Sequence, residues 1–254
     1  MKGADPTKRF SDRVENYIKY RPSYPPEVLT YLANKCKLTP GSAIADVGSG
    51  TGIFSALLLA KAYKVYAVEP NESMQEAAIR QFGTDENFVP VAGAAEATTL
   101  PPSLVDLIVC AQAFHWFDAG KTKTEFKRIL KDGGLVALIW NNRDAATDEF
   151  AAAYENLLRQ DSVDYNNVNH RNINDIDFKA FFKDGIYEAV KYPNVQVFDE
   201  EGLLGRAFSS SYVPAEDSDG GMKFKDLLKA LFAKYNTEGK VRFYYQTEVY
   251  LGKV

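Results

Sequence analysis

Three glycines at alternate positions, Gly48, Gly50 and Gly52, follow a short apolar run that contains Asp46. A glycine-rich turn between a strand and a helix places backbone N–H groups and the positive end of the helix beside a ligand. A phosphate-binding P-loop would require a Lys followed by Ser or Thr, and the dinucleotide fingerprint would require Gly or Ala where this chain has Ile53. The spacing therefore predicts a nucleotide-like cofactor loop of another class, with a ligand-free tight turn as the alternative.

The elements that must position this loop alternate between strand and helix. Five nearly all-apolar runs between residues 42 and 142 are predicted as strands: AIADV, KVYAVEP, NFVPVAG, DLIVCAQ and GLVALIWNN. Runs of this kind are typical of parallel strands that are covered on both faces. The carboxyl ends of parallel strands meet at one edge of the sheet, and ligands of such folds bind there.

The flanking segments are mostly helical in pattern. Two amphipathic helices are predicted before the sheet, one capped at Ser11 and one starting at Pro26. Beyond the fifth run we expect a helix, then an Asn-rich surface loop over 164–177 with a solvated His170, and then a strand and a short helix over 189–214. A helix and a strand rich in Tyr, Phe and Val end the chain.

Four spaced signals resemble the class I S-adenosylmethionine-dependent methyltransferases that act on small molecules, and among them the trans-aconitate methyltransferase-like subgroup. They are the glycine loop, VYAVEPN with Glu69, GAAEATTLP after the third run and AFHW after the fourth, and RILKDGGLVALIW is a further match. The resemblance covers residues 42–142 best. It implies a Rossmann-like, doubly wound sheet of seven mostly parallel strands with an antiparallel last strand, plus a helical or mixed cap. It also implies S-adenosyl-L-methionine as the cofactor and S-adenosyl-L-homocysteine as the product.

The same resemblance divides one methyltransferase domain, residues 1–254, into segments with different tasks. They are an N-terminal helical lid at 1–40, a cofactor-binding core at 42–142, a substrate cap at 143–220 and a final helix and strand at 221–254.

Cofactor contacts are expected at the glycine loop, at the strand ends and at the lid. Glu69 would bind the ribose hydroxyls, because a carboxylate can accept hydrogen bonds from both; an exposed strand-end acid is the alternative. Arg21 either faces the methionine carboxylate or lies on the surface. Asp46 either orders the loop or contacts the ligand, and Glu96 either lies near the adenine or caps a turn. The expected cofactor-binding residues are Tyr20, Arg21, Asp46, Gly48, Ser49, Gly50, Gly52, Glu69, Pro70, Met74, Ala95, Glu96, Gln112 and Ala113.

The expected chemistry is direct, in-line methyl transfer to a small-molecule acceptor, with a carboxylate as one candidate. The protein then mainly positions the nucleophile and excludes water. A general base is needed only for an acceptor that arrives protonated, and His115 is the candidate catalytic residue, with packing around the cofactor as its alternative. The candidate substrate-binding residues are Trp116, Trp140, Arg143, Arg206 and Tyr212. A cofactor sensor or carrier without methyl transfer and an RNA or protein methyltransferase are the alternative functions.

Composition limits the partners and the compartment. The 254-residue chain carries a net charge of −4 and no long run of Lys and Arg, which argues against a nucleic-acid partner. No apolar run is long enough to span a bilayer, and the first residues lack the apolar segment of a signal peptide, so we expect no membrane and a cytoplasmic location. Cys36 and Cys110 predict buried free thiols, and no metal site is expected.

Overall fold

A computed structural model describes residues 14–163, 165 and 174–254. Part of the predicted lid, including Ser11, lies outside the described residues, and so does His170. The described elements are α1 Val14–Tyr20, α2 Pro26–Cys36, β1 Ala43–Val47, α3 Ile53–Leu59, β2 Lys64–Val68, α4 Glu72–Phe82, β3 Phe88–Val91, β4 Val105–Ala111, α5 Ala119–Ile129, β5 Leu130–Arg143, α6 Glu149–Asp161, α7 Asp175–Phe181, β6 Glu188–Phe198, α8 Glu200–Phe208, α9 Asp219–Tyr235 and β7 Val241–Gly252, with 3-10 turns at Phe114–Trp116 and Lys183–Gly185.

These strands form a single sheet in the order β3-β2-β1-β4-β5-β7-β6. β1 to β5 pair in parallel, and β7 runs antiparallel to both of its neighbours, β5 and β6. The predicted seven-stranded, mostly parallel sheet with an antiparallel last strand is confirmed. β6 lies within the segment predicted as a substrate cap, 143–220, so this segment also completes the sheet.

The strand order changes direction at β1. The chain adds β2 and β3 on one side of β1 and then crosses to place β4 on the other side. Such a reversal leaves a crevice outside the carboxyl ends of the two central strands, where doubly wound α/β folds bind ligands. Here the crevice opens beyond Val47 of β1 and Ala111 of β4, so the topology brings the glycine loop next to the AFHW turn.

The central strands are buried on both faces, which explains their nearly all-apolar sequences. On one face, Ile44 and Val109 pack with Leu32 of α2. On the other face, Ile108 packs in a core that includes Phe126 of α5. Because the central strands are packed on both faces, their ends are held rigidly, and this fixes where the following loops begin.

A third apolar core lies under the cap. It joins α6, α8 and α9 to the first half of β7 through Tyr154, Leu203, Phe224 and Phe243. Aromatic packing is dense here, since the Tyr154 and Phe243 ring centroids are 4.8 Å apart. This core therefore fixes side chains of the cap against the sheet near the end of β5.

The predicted loop over 164–177 is wrong at its end, because α7 begins at Asp175. Asn174 and Asp177 form a capping box, in which each side chain accepts a backbone N–H of the first turn. Phe178 then packs into the core of the sheet. Capping residues are polar, so a polar sequence alone does not separate a loop from the start of a helix.

Candidate functional site

The glycine loop connects β1 to α3 and folds against the end of β2. Gly48, Gly50 and Gly52 have φ values of +72°, +56° and +85°, a region that residues with a Cβ rarely adopt. The backbone N–H groups of Gly48 and Ser49 both donate to the carbonyl of Val68, at 2.9 and 3.1 Å. Glycine is therefore required by the backbone conformation of the loop.

Gly48 is also required by space. A Cβ built at Gly48 would lie 2.5 Å from the Cβ of Ala113, which follows β4. At Gly50 the nearest atom to such a Cβ is the Met74 Sδ at 4.0 Å, so the room beside Gly50 is open. The loop thus closes on the β4 end at Gly48 and leaves an opening at Gly50.

Glu69 ties the loop to α4. Its Oε2 accepts the N–H of Gly50 and its Oε1 accepts the N–H of Asn71, each at 2.8 Å. Burial raises the pKa of the Glu69 carboxyl, and the two N–H donors act against this shift. A carboxylate has about four acceptor positions, so both oxygens keep capacity for further donors.

Asp46 lies deeper, beneath the loop. Its Oδ2 accepts the hydroxyl of Ser55 in α3 at 2.7 Å, while its Oδ1 is buried without a hydrogen-bond partner in the described residues. Burial raises the pKa of Asp46 to about 7, against the opposing hydrogen bond from Ser55. Asp46 therefore acts on the loop through α3, in agreement with the ordering role.

A cleft opens beside Gly50 and Glu69 and encloses about 150 Å³; we call it the glycine-loop cleft. The predicted site residues that line it are Gly48, Gly50, Glu69, Pro70, Met74, Ala95, Glu96, Gln112, Ala113 and Trp116. Glu96 also accepts the N–H of Asp118 at 2.7 Å, which links the loop after β3 to the start of α5. The cleft walls are thus short loops that are connected to one another by hydrogen bonds.

Five predicted cofactor residues do not line this cleft: Tyr20, Arg21, Asp46, Ser49 and Gly52. Gly52 is the N-cap of α3, and Tyr20 packs on Gly205 of α8 and donates to Glu201 at 3.1 Å. The Ser49 hydroxyl is buried and has no partner among the described residues. An unsatisfied hydroxyl in the loop fits a polar ligand that would complete its hydrogen bonding.

Sequence reasoning missed three residues that line the cleft, namely Tyr17, Asn71 and Phe117, whereas Ala94 belongs to the predicted GAAEATTLP signal. Asn71 caps α4 by accepting the Met74 N–H at 3.0 Å. Its position directly after Glu69 and Pro70 is the sequence feature that could have identified it as a cleft residue. Tyr17 reaches the cleft from α1, and no local pattern marks such a long-range contact.

The end of β4 is strained. Gln112 is not a glycine, yet its φ is +57°, a conformation that costs energy and collects at functional sites. Its backbone N–H donates to Ile139, and its side-chain amide donates to the carbonyl of Asn141, at 3.2 Å. Asn141 in turn donates to the carbonyl of Ser23 at 3.2 Å. The cleft wall is thereby connected to the end of β5 and to the segment after α1.

His115 and Trp140 form a pair behind the cleft wall. The indole N–H of Trp140 donates to Nδ1 of His115 at 3.4 Å, and the His115 ring lies on that of Trp116, with 4.8 Å between centroids. With Nδ1 accepting, a neutral imidazole carries its proton on Nε2. Trp140 itself is buried in the core of the sheet, and neither His115 nor Trp140 lines the cleft.

The remaining candidates meet in the cap. Arg21, Arg143, Arg206 and Tyr212 form a group that we call the arginine cluster. Arg21 donates to the Ser209 carbonyl at 2.9 Å, and Arg206 donates to the Ser210 hydroxyl at 3.1 Å.

Arg143 is held by the one carboxylate that pairs with the arginine cluster in the described residues. It donates to Glu155 at 2.7 Å, and its guanidinium carbon lies 4.5 Å from the centroid of the Tyr154 ring. Glu155 also pairs with the exposed Arg159 at 3.3 Å and accepts the hydroxyl of Tyr165 at 2.7 Å. The side chains of Arg143 and Glu155 are both more than nine-tenths buried.

The charges of the arginine cluster act on one another. Burial lowers the pKa of Arg21, and the positive charge of Arg206 lowers it further. Burial alone would raise the pKa of Tyr212, but the charges of Arg206, Arg143 and Arg21 outweigh burial and lower it. The cluster is therefore a site of strong positive potential.

The described residues contain neither a metal-binding group of side chains nor a membrane-spanning helix. No group of three or more His, Cys, Asp or Glu residues in ranges 14–163 and 174–254 is placed to hold a metal ion. None of the helices in that part of the chain is long and apolar enough to cross a membrane.

The site geometry can now be set beside known proteins. Residues 45–138, from β1 to β5, match the model of a methyltransferase domain. A putative methyltransferase of Dictyostelium discoideum is 30% identical over 243 residues, which cover 89% of this chain and 88% of the relative. The chain belongs to the class I S-adenosylmethionine-dependent methyltransferase family. The matched segment contains the glycine loop, Glu69, Glu96 and the AFHW turn.

Solved structures of this family share the fold. A putative type II methyltransferase from Anaeromyxobacter dehalogenans gives a TM-score of 0.66 at 24% identity, covering 92% of this chain and 98% of that one. A methyltransferase from Thiobacillus denitrificans, solved in complex with S-adenosyl-L-homocysteine, gives 0.54 at 18% identity, covering 96% and 97%. The chain spans about half the length of curated relatives such as an uncharacterized methyltransferase of Mycobacterium tuberculosis, with 35% identity over 145 residues and 55% of each chain matched.

Proposed function

We propose that this chain is an S-adenosyl-L-methionine-dependent methyltransferase that acts on a small-molecule acceptor. The observation that carries the proposal is the glycine-loop cleft, in which Glu69 holds Gly50 while its carboxylate keeps acceptor capacity at the cleft surface. The family and the S-adenosylhomocysteine complex of a related structure support S-adenosyl-L-methionine as the cofactor.

The residues around the cleft fit that cofactor. Glu69 would accept hydrogen bonds from the ribose hydroxyls, and the free space beside Gly50 would admit the ligand to the loop backbone. The buried, unpartnered Ser49 hydroxyl offers a donor and an acceptor in the same loop. Ala95, Glu96 and Met74 would flank the adenine, as expected from the resemblance.

S-adenosyl-L-methionine would supply an activated methyl group to an acceptor in line with its sulfonium. The chain then has to hold the acceptor nucleophile and exclude water. Gln112, Ala113 and Trp116 line the cleft at the β4 end and would border the acceptor. Gln112 is fixed through Asn141, so the wall that borders the acceptor is preorganised.

The acceptor group that the site fits best is a carboxylate. A carboxylate is ionised at neutral pH, so its methylation requires no general base. His115 accepts a hydrogen bond at Nδ1 from Trp140 and does not line the cleft, which favours a positioning role over proton removal. The resemblance of the AFHW turn to the trans-aconitate methyltransferase-like subgroup supports an acidic acceptor too. We place the reaction in the cytoplasm, where the free thiols of Cys36 and Cys110 stay reduced.

Calorimetry with S-adenosyl-L-homocysteine tests the cofactor assignment. Glu69→Gln replaces one carboxylate oxygen with an NH₂ group that faces N–H donors, so its affinity should be at least about tenfold weaker. Glu76→Gln, on the exposed face of α4, should bind like wild type. No binding by wild type, or equal binding by Glu69→Gln, would overturn the assignment.

A radiolabelled-methyl assay then tests transfer. Wild-type protein with labelled S-adenosyl-L-methionine is incubated with pools of carboxylates, phenols, thiols and amines, and base-labile label in the carboxylate pool is expected from a methyl ester. Cofactor binding without label in any pool would support a sensor or carrier. Label in RNA or protein, but in no small molecule, would contradict the proposed acceptor class.

A further inference from the structure

The arginine cluster has more buried positive charge than the described residues neutralise. Arg143 pairs with Glu155, whereas the described residues give neither Arg21 nor Arg206 an ion pair with a carboxylate. Arg206 is only 6% exposed. Moving an unpaired charge out of water costs several kcal/mol by general estimates, so an uncompensated buried arginine is expected only where a counter-charge arrives.

Two hydrogen-bond donors of the arginine cluster also lack an acceptor in the described residues. The Nε atoms of Arg21 and Arg206 are buried and have no hydrogen-bond partner in the described part of the chain. The two guanidinium groups converge on one acceptor, the Ser210 hydroxyl, at 3.5 Å from Arg21 and 3.1 Å from Arg206. A guanidinium presents a planar fork of donors that matches a carboxylate or a phosphate oxygen pair.

The cluster adjoins the glycine-loop cleft. The Arg21 guanidinium carbon lies 4.8 Å from the centroid of the Tyr17 ring, and Tyr17 lines the cleft. On the sheet side, Arg143 ends β5 two residues after Asn141, whose carbonyl holds the Gln112 side chain of the cleft wall. One molecule of modest length could therefore touch both regions.

We propose that Arg21, Arg143 and Arg206, with Tyr212, bind an anionic group of the methyl acceptor, a carboxylate or a phosphate. The inference rests on the proposed methyltransferase function and names the substrate class for it. The positive potential described above draws the anion in, and the phenol of Tyr212 adds a hydrogen-bonding group. The acceptor then carries at least one negative charge, held at a position separate from the cofactor.

Anion binding can be measured without the cofactor. The wild-type protein is titrated by calorimetry with glutarate, with its neutral isostere glutaramide and with inorganic phosphate, at constant ionic strength. We expect glutarate or phosphate to bind and glutaramide not to bind. Tighter binding of glutarate indicates a carboxylate-bearing acceptor, and tighter binding of phosphate a phosphorylated one. Equal binding of glutarate and glutaramide, or no binding of either anion, would overturn the proposal.

Variants locate the site. Arg206→Gln should lower the affinity for the anion at least about tenfold, because a hydrogen bond to a charged group is worth about 1.5–3 kcal/mol. Arg206→Lys, which keeps the charge, should lose less. Arg159→Gln is the matched control, since exposed Arg159 contacts the same Glu155 from outside the cluster, and it should bind the anion like wild type. Equal anion affinity in Arg206→Gln and wild type contradicts the assignment.

The affinity for S-adenosyl-L-homocysteine separates this proposal from the proposed function. Arg206→Gln should keep the wild-type affinity for that ligand, which also shows that the variant is folded. If Arg206→Gln lost S-adenosyl-L-homocysteine and the anion together, the cluster would serve the methionine carboxylate of the cofactor, and the acceptor assignment would be wrong. Failure of wild type to bind S-adenosyl-L-homocysteine, with anion binding intact, would overturn the proposed function and leave an anion site that is not a methyl-acceptor site.

Discussion

The glycine-loop cleft is lined by glycines and by the acidic residues Glu69 and Glu96, whereas the arginine cluster presents long cationic side chains from separate parts of the chain. Glu69 reaches its partners Gly50 and Asn71 within 19 residues along the chain. Arg21 reaches Ser209 across 188 residues. One region is assembled by local turns at strand ends, and the other only after α1, β5 and α8 have packed together.

The two regions also differ in charge balance. The cleft has buried acids whose pKa values are raised by burial, at Asp46 and Glu69, and it contains backbone donors that offset their charge. The arginine cluster has three cations and one paired carboxylate among the described residues. The first arrangement suits a cofactor rich in hydroxyl and amino groups, and the second suits an anion.

Gly48→Ala should break the cleft and leave the cluster intact. Its Cβ would lie 2.5 Å from the Cβ of Ala113 at a φ of +72°, so both space and backbone conformation oppose it. Together these effects cost about 3 kcal/mol or more, which predicts at least about a hundredfold loss of S-adenosyl-L-homocysteine affinity. Calorimetry measures this loss, and glutarate affinity should not change.

Gly133→Ala is the matched control for that variant. Gly133 has a φ of +81° in an exposed part of β5, but a Cβ there meets nothing within 4 Å. It should bind S-adenosyl-L-homocysteine like wild type. Equal losses in the two variants would mean that contact with Ala113 is irrelevant to the cleft.

Glu155→Gln should break the arginine cluster. It removes the carboxylate that pairs with buried Arg143 at 2.7 Å, and breaking a buried ion pair predicts a loss of about 3–5 kcal/mol in the free energy of unfolding. Urea denaturation measures the loss. Arg159→Gln removes only the exposed partner of Glu155 and should change stability by less than about 1 kcal/mol. A loss of less than 1 kcal/mol in Glu155→Gln would contradict the charge imbalance.

Asp46→Asn should change how the free energy of unfolding depends on pH. The folded protein keeps Asp46 protonated up to about pH 7, whereas an unfolded chain ionises it near pH 4. Folding therefore takes up a proton between these values, so this group's contribution to stability is full below about pH 4 and is lost as pH rises towards 7. The Asn variant cannot ionise. Its free energy of unfolding relative to wild type should rise between pH 4 and 7. If the difference between the two proteins did not change with pH, the pKa of Asp46 would not be raised by folding.

His115→Gln should have the smallest effect, because His115 does not line the cleft. The Gln side chain can still accept the Trp140 indole N–H, so the wall should keep its shape. With a carboxylate acceptor from the radiolabelled screen, we expect kcat to fall by less than about tenfold. A fall of a hundredfold or more, with a pH profile that loses its decline at low pH, would make His115 a general base.

The sequence predicts the cleft well because its signals are local. Gly48, Gly50 and Glu69 lie at strand ends, where parallel pairing dictates which loops meet, and all three line the cleft. Tyr17 had no such signal, because its contact depends on where α1 packs. Tyr20 and Arg21 were expected at the cofactor, yet the structure places them against α8 and the segment that follows it. The positions of Tyr20 and Arg21 in the sequence do not indicate which elements these side chains pack against.

The sheet was predictable for the same reason, and the cap was not. Apolar runs defined the central parallel strands, since burial on both faces leaves few polar positions, and the Tyr, Phe and Val content marked β7, in which buried and more exposed residues alternate. The start of α7 was missed because its cap residues, Asn174 and Asp177, read as loop. Arg143 and Arg206 were candidates for an anion, but only the fold reveals that they share one buried group with Arg21.

The most direct measurement is a crossed titration of two variants with two ligands in one buffer. Glu69→Gln and Arg206→Gln are each titrated with S-adenosyl-L-homocysteine and with glutarate or phosphate, whichever binds wild type more tightly. Glu69→Gln should bind S-adenosyl-L-homocysteine at least about tenfold more weakly and keep its affinity for the anion, while Arg206→Gln should do the reverse. If either variant lost both ligands equally while remaining folded, the cofactor cleft and the anion site would not be separate sites.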